Sequence, residues 1–191
     1  MMEFLLTPPG LALVVVLVIA IFWATTRNRF VRLQTALDSS WSGIDVELRR
    51  RYDLIPNLVE TAKGYMDHER ETLEAVVAAR EQAASNHGEH GSQIADEKQL
   101  DQRMGSFLAR AEAYPELKAN ANFLDLQRQL ATTENRIAAS RRLHNLNVKA
   151  WNSLGETIPW RLARPSGWEK EPYFEVGDSG VRAPVDVNLE G

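Results

Sequence analysis

The side chains of this 191-residue chain best suited to chemistry are its histidines, an arginine triplet and one amide-rich run. His87 and His90 form H-x-x-H, and His68 stands beside Glu69. A metal held inside a helical protein usually needs H-E-x-x-H, or Glu-x-x-His from facing helices, and the sequence contains neither. Ser85 to Ser92 is polar and contains glycine, so its histidines read as solvated loop residues. No G-x-x-x-x-G-K-[ST], G-x-G-x-x-G or G-x-S-x-G occurs, which removes the usual support for nucleotide binding and serine hydrolysis. The absence of cysteine excludes disulfides, thiolate metal sites and a cysteine nucleophile. The residues therefore lead us to expect no catalytic site, no metal and no cofactor.

Arg49-Arg50-Arg51 and Arg141-Arg142 have the charge to meet phosphate. Runs of this kind are usually solvated helix faces, and no aromatic residues interleave them to stack bases. The formal charge of −4 also argues against nucleic acid. Asn120, Gln127, Glu134 and Arg141 lie seven apart and share one helix face. They have two readings: plain solvent exposure, or a polar seam meeting Arg49–Asp53 and fixing register.

Such residues must be positioned by helices. Leu33, Leu37, Trp41, Ile44, Leu48, Tyr52, Ile55, Val59, Ala62 and Met66 recur in steps of three and four. Within that stripe Leu33, Ile44, Ile55 and Met66 repeat every 11 residues, the period of a nearly straight helix. Pro56 should kink it or start a new segment near Leu54. Gly64 and Asp67-His68-Glu69 mark a break. A second helix carries Leu73, Val76 and Val77 and fades by Ala84. A third runs from about Ile94 to Ala113. A fourth starts at Pro115 and continues to Ile158, where Phe123, Leu126, Leu130, Thr133, Ile137, Ser140, His144, Asn147, Trp151, Leu154 and Ile158 alternate steps of three and four in a heptad-like seam. No strand pattern is evident. From Gly155 onward nine of 37 residues are glycine or proline, which excludes a regular helix. Trp160, Trp168, Tyr173 and Phe174 make 159–176 a tail expected to dock, and 177–191 reads as disordered.

Phe4 to Thr26 is free of charge, and Leu11 to Ala24 is wholly apolar. Twenty-three residues suffice to span a bilayer, which takes about 20 in a helix. Thr7-Pro8-Pro9-Gly10 would sit at the outer interface with broken backbone. Arg27, Arg29 and Arg32 flank the C-terminal side and Glu3 the other, so the positive-inside rule places the N-terminus outside. The expected organisation is 1–26 as external N-terminus and anchor, 27–158 as a cytoplasmic bundle, and 159–191 as tail. The fold class is all-α: an N-terminal transmembrane helix, then an up-and-down antiparallel four-helix bundle with two long and two short helices.

The stretch WSGIDVELRRRYDLIPNLVETAKGYMDHERETLEAV (Trp41 to Val76), followed by AEAYPELKANANFLDLQRQLATTENRIAASRR (Ala111 to Arg142), resembles the LemA family of bacterial membrane proteins. Asn145, Val148, Asn152, Ile158-Pro159 and Tyr173-Phe174-Glu175 extend the likeness. His144 departs from the tyrosine or phenylalanine usual in the family, and Trp151 from its common tyrosine. The resemblance implies an N-terminal membrane helix, an up-and-down bundle and no established enzymatic activity. One relative's part in building magnetosome membranes points to membrane organisation.

The function expected is a non-enzymatic scaffold in the bacterial inner membrane, acting through protein contacts with the lipid bilayer as its surface. An accessory subunit of a membrane protease or transporter is the alternative, with an unidentified membrane protein as partner. A metal-dependent helix-bundle enzyme is the remaining one. Two short helices cannot cover two long ones, so Leu33, Leu37, Trp41, Leu146, Trp151, Leu154 and Ile158 are expected to form a homo-oligomer interface.

Overall fold

The computed structural model describes residues 7–86 and 90–174. These residues contain five α-helices and no strand: α1 (Pro8–Lys63), α2 (Arg70–Ser85), α3 (His90–Ala111), α4 (Pro115–Ala119) and α5 (Ala121–Glu156). Short 3-10 turns cover Asp67–Glu69 and Trp160–Ala163. Phe4–Leu6 of the apolar stretch, His87 and the 177–191 segment lie outside the described residues.

α1 starts at Pro8, and Leu11 N–H donates to Thr7 O at 2.9 Å. The backbone expected to be broken at residues 7–10 is helix from Pro8 onward instead. Proline lacks an N–H that the first turn would leave unpaired anyway, so Pro8 and Pro9 fit there. α1 then continues for 56 residues, straight through Pro56. No new segment starts at Leu54. Pro56 is exposed, so its ring projects outward. It cannot donate to the carbonyl of Tyr52, four residues back. The Arg80 guanidinium supplies the missing donor, with Nε 3.1 Å from Tyr52 O. Arg80→Ala should therefore lower stability by about 1.5 kcal/mol. The loss should shrink when Pro56→Ala restores the backbone donor, and Pro56→Ala alone should stabilise the helix. A thermal-unfolding double-mutant cycle measures this coupling, and additive effects would refute it.

The fourth helix expected from Pro115 onward is broken at Asn120, which has extended backbone (φ −70°, ψ 118°). Its Oδ1 accepts from Phe123 N–H at 3.0 Å and starts α5 as an N-cap. Asparagine favours this position because its side chain pairs an otherwise unmatched helix N–H. The α5 stripe also departs from heptads. From 133 to 151 its buried positions are Thr133, Ile137, Arg141, His144, Val148 and Trp151, so two successive steps of four shift it off Ser140 and Asn147. Leu126, Ile137 and Val148 are 11 apart, the same spacing as Leu37, Leu48 and Val59 on α1. At 3.67 residues per turn the stripe stays on one face of a nearly straight helix.

Among the described residues the chain forms two compact units, one from 7–46 and 136–173, the other from 47–86, 90–135 and Phe174. In the first, Phe30, Leu37, Val148, Trp151 and Leu154 form the core, with Leu33, Trp160 and Trp168 packed against it. The Phe30 and Trp151 rings meet edge-on at 5.6 Å. The tail folds back on α5. Trp151 Nε1 donates to Glu169 O at 2.8 Å. The Asn152 amide both donates to Glu171 O and accepts from Glu171 N–H, each at 2.9 Å.

In the second unit α2 and α3 form an antiparallel hairpin. Glu69 pairs with Arg110 (2.7 Å) at one end, and Gln82 donates to Asp96 (2.6 Å) at the other. Ile55, Leu58, Val76, Leu100, Phe107 and Phe123 are among its buried residues, drawn from α1, α2, α3 and α5.

Candidate functional site

Arg51 and Glu97 are the most deeply buried charges among the described residues, at 1% and 0% exposure. Their positions follow from the stripes. On α1, Ser40, Arg51 and Ala62 share one buried line at 11-residue spacing. On α3, Gln93 and Glu97 extend the buried series Leu100, Met104, Phe107 and Ala111 in steps of four and three. Asp101 follows Glu97 by four residues and so shares its face.

The three donor–acceptor pairs converge on one guanidinium. Arg51 Nη2 pairs with Glu97 Oε2. Nη1 reaches Asp101 Oδ1 at 2.6 Å and Glu134 Oε1 at 3.0 Å. The second oxygen of Glu97 accepts from the Tyr52 hydroxyl. α1, α3 and α5 are thereby tied at a single planar cation, a geometry that arginine's fixed fork suits better than lysine's point charge. Burial lowers the Arg51 pKa, but the attraction of Glu134 and Asp101 and the hydrogen bonds they accept more than offset it, and the net direction is up. Arg51 thus stays charged throughout the range in which proteins fold. A permanently charged donor held by carboxylates is suited to cross-linking helices.

Of the polar-seam residues, Glu134 meets Arg51, within the Arg49–Asp53 segment. Asn120 donates to the Tyr65 hydroxyl at 3.0 Å in addition to capping α5. Gln127 is half-buried. Arg141 is buried, but belongs to the first unit.

The residues proposed from sequence for self-association divide as well. Leu37, Trp151 and Leu154 are buried in the core of the first unit, which accounts for them within one chain. Leu33 packs against that core. Trp41 meets His144 edge-on at 5.2 Å. Leu146 and Ile158 are exposed. His144 is fully buried with Nδ1 3.0 Å from Ser40 Oγ. Ser40 Oγ also lies 2.9 Å from Leu37 O, within hydrogen-bond reach. A histidine fits this aromatic position because Ser40 takes its polar atom. His68 is exposed, and no three His, Asp or Glu side chains converge for a metal ion among the described residues.

An open groove of about 700 Å³ lies between the end of α1 and α2. Pro56, Val59, Met66, Leu73 and Val77 line it, with Glu60, Asp67, Glu74 and Glu81 outnumbering Lys63 and Arg70 at its edge.

Sequence reasoning missed Glu97, Asp101, Tyr52 and Arg80 as interacting polar groups. The signal for Glu97 was present in its place on the α3 stripe. That for Arg80 lay in the carbonyl that Pro56 must release.

The LemA family model matches residues 40–189. The curated protein LemA of Metamycoplasma hominis is 26% identical over 141 residues, covering 72% of this chain and 64% of that relative's length. The chain thus spans less than two thirds of that relative.

Proposed function

The chain belongs to the LemA family, and from that premise we propose that it is a membrane-anchored, non-enzymatic scaffold. It works through protein contacts and self-association. Its anchor crosses the bacterial inner membrane once, with the N-terminus outside and the rest of the chain in the cytoplasm. The helices after the anchor form the up-and-down four-helix bundle, α1 and α5 long, α2 and α3 short. The observation that carries this reading is α1 itself, long and apolar enough at its start to cross a membrane and continuous with the helix that holds Arg51. Residues 11–21 expose nearly every apolar side chain, as a lipid-facing helix does and a buried core helix does not.

Single cysteines test the topology in a chain that has none. An impermeant thiol reagent on intact cells should label Met2→Cys and spare Val46→Cys until the membrane is opened. Labelling of Val46→Cys in intact cells would overturn the orientation. Self-association is placed on Leu143 and Leu146, exposed and one turn apart on α5. Mass photometry in mild detergent should find oligomers that Leu143→Ser with Leu146→Ser disperses. A monomer across micromolar concentrations would refute the self-association.

The groove between α1 and α2 favours a second reading, an accessory subunit of a membrane protease or transporter. Its apolar floor and net-acidic edge suit an amphipathic partner helix with basic flanks. Cross-linking in native membranes that traps such a helix at Val77, and loses it with Val77→Lys, would support it over the scaffold.

A further inference from the structure

Ile158 and Leu162 are the most exposed large apolar side chains among the described residues, at 77% and 82%. They exceed even the residues of the apolar segment of α1. Both sit in the loop that leaves α5, which includes the Trp160–Ala163 turn. Aliphatic side chains so placed in water are unfavourable unless something covers them.

The loop's position says what does. Its Trp160 ring packs on the core of the first unit and lies under Arg29, whose guanidinium carbon is 5.5 Å from the ring centre. Arg29 is five residues past Ala24, the end of the apolar run, or ~7.5 Å along the helix axis. The headgroup layer is ~5–7.5 Å deep on each side of a bilayer. The loop is therefore level with the headgroups of whatever bilayer α1 crosses. Charge agrees with this depth. Residues 24–37 and 157–168 contain Arg27, Arg29, Arg32, Arg161 and Arg164 and no carboxylate. All five arginines are exposed. Trp23 is exposed as well, with Arg27 over its ring at 5.7 Å, as in the aromatic belts of membrane proteins.

We infer that this loop is a second membrane contact: Ile158 and Leu162 insert into the surface of the bilayer that α1 spans, and the five arginines bind anionic lipid phosphates there. The inference rests on the spanning reading of α1. A second copy of the chain is a poor occupant. Copies anchored in one plane present the same cations at the same height, and like charges repel. An anionic headgroup layer offers phosphates at that height and acyl chains just below, matching both the arginines and the aliphatic side chains.

Nitroxide labels on single cysteines of the full chain, reconstituted in vesicles of equimolar phosphatidylcholine and phosphatidylglycerol, test this by relaxation with oxygen against an aqueous nickel chelate. Ile19→Cys should report the bilayer interior, Leu162→Cys the headgroup–acyl boundary, and Val46→Cys water. Val46 is ~33 Å along α1 from Ala24. If Ile19→Cys is not deep, the spanning reading fails. If it is deep while Leu162→Cys matches Val46→Cys, the loop contact alone fails. Shielding of Leu162→Cys accompanied by dipolar broadening between copies would assign the loop to a second chain and overturn the inference. Arg161→Gln with Arg164→Gln should lower the ratio of immersed to aqueous label about 25-fold, from roughly fivefold per arginine at an anionic surface. An unchanged ratio would overturn the role of lipid phosphate.

Discussion

Arg51→Met should lower stability by about 3–5 kcal/mol, the range for removing one partner of a buried ion pair. In a chain of this size that corresponds to a melting temperature lower by roughly 6–20 °C. Helical circular dichroism of the full chain in mild detergent measures it. The effect is large because of what stays behind. Glu97 is left fully buried without a cation, and Asp101 and Glu134 lose their common one. The carboxylates should not count equally. The side chains of Asp101 and Glu134 are 32% and 42% exposed, so water screens them, and Glu134→Gln should change stability by no more than about 1 kcal/mol. Glu97→Gln should fall between the extremes, since Arg51 retains two acidic partners. The sharpest check is Arg51→Met combined with Glu97→Leu. Replacing a buried pair by apolar groups is often near neutral, so the double variant should recover much of the loss. A double variant as damaged as the sum of its parts would show that the pair does not act as a unit.

Gly155→Ala should release the tail. A Cβ at this position would overlap Trp168 Cε2 and Cζ2, atoms of a rigid indole ring rather than the end of a flexible chain. Trp168 leans on Trp151 with ring centres 6.2 Å apart and packs against the core of the first unit, so it cannot yield without leaving its place. Overpacking of this kind costs about 1–3 kcal/mol, which would raise the open fraction of the tail roughly 5- to 150-fold. Trypsin should then cut faster at Arg161, and tryptophan emission should shift to the red. Gly167→Ala is the control, since a Cβ there meets nothing within 4 Å. Equal cleavage of the two variants would refute the account of the tail.

The helices were legible because apolar spacing reports a face directly. Leu33, Ile44 and Ile55 needed no tertiary information to be placed in a stripe. The break at Asn120 was hidden because the short turn before it carries one buried residue, Leu117, which sets no period of its own, and only the asparagine's capping habit marks the boundary. The α5 stripe was followed in heptads through Ser140 and Asn147, whereas Arg141 and Val148 are the buried residues. Two polar residues at adjacent positions gave periodicity little to choose between. Arg51 was hardest, since it sits among three arginines of which two are exposed. Its difference from Arg49 and Arg50 depends on Glu97 and Asp101, nearly fifty residues away, and no local pattern carries that. Leu37, Trp151 and Leu154 were assigned to a second copy because the tail, though expected to dock, was given no place over Trp151. That return depends on Gly155, whose missing side chain has no periodic signature.

The way the tail is held has a consequence for how such a chain can vary. Asn152 grips Glu171 by its N–H and carbonyl, and Trp151 grips the carbonyl of Glu169. All three bonds address main-chain atoms, which nearly every amino acid offers alike. The burden of specificity therefore falls on two neighbouring helix residues, and the segment they hold is close to sequence-blind. Among natural variants, 169–171 should drift freely in side chain, with proline barred from 171 because it lacks the N–H, while 151 and 152 should resist replacement. Function can be rewritten in the side chains of the tail without the tail being lost.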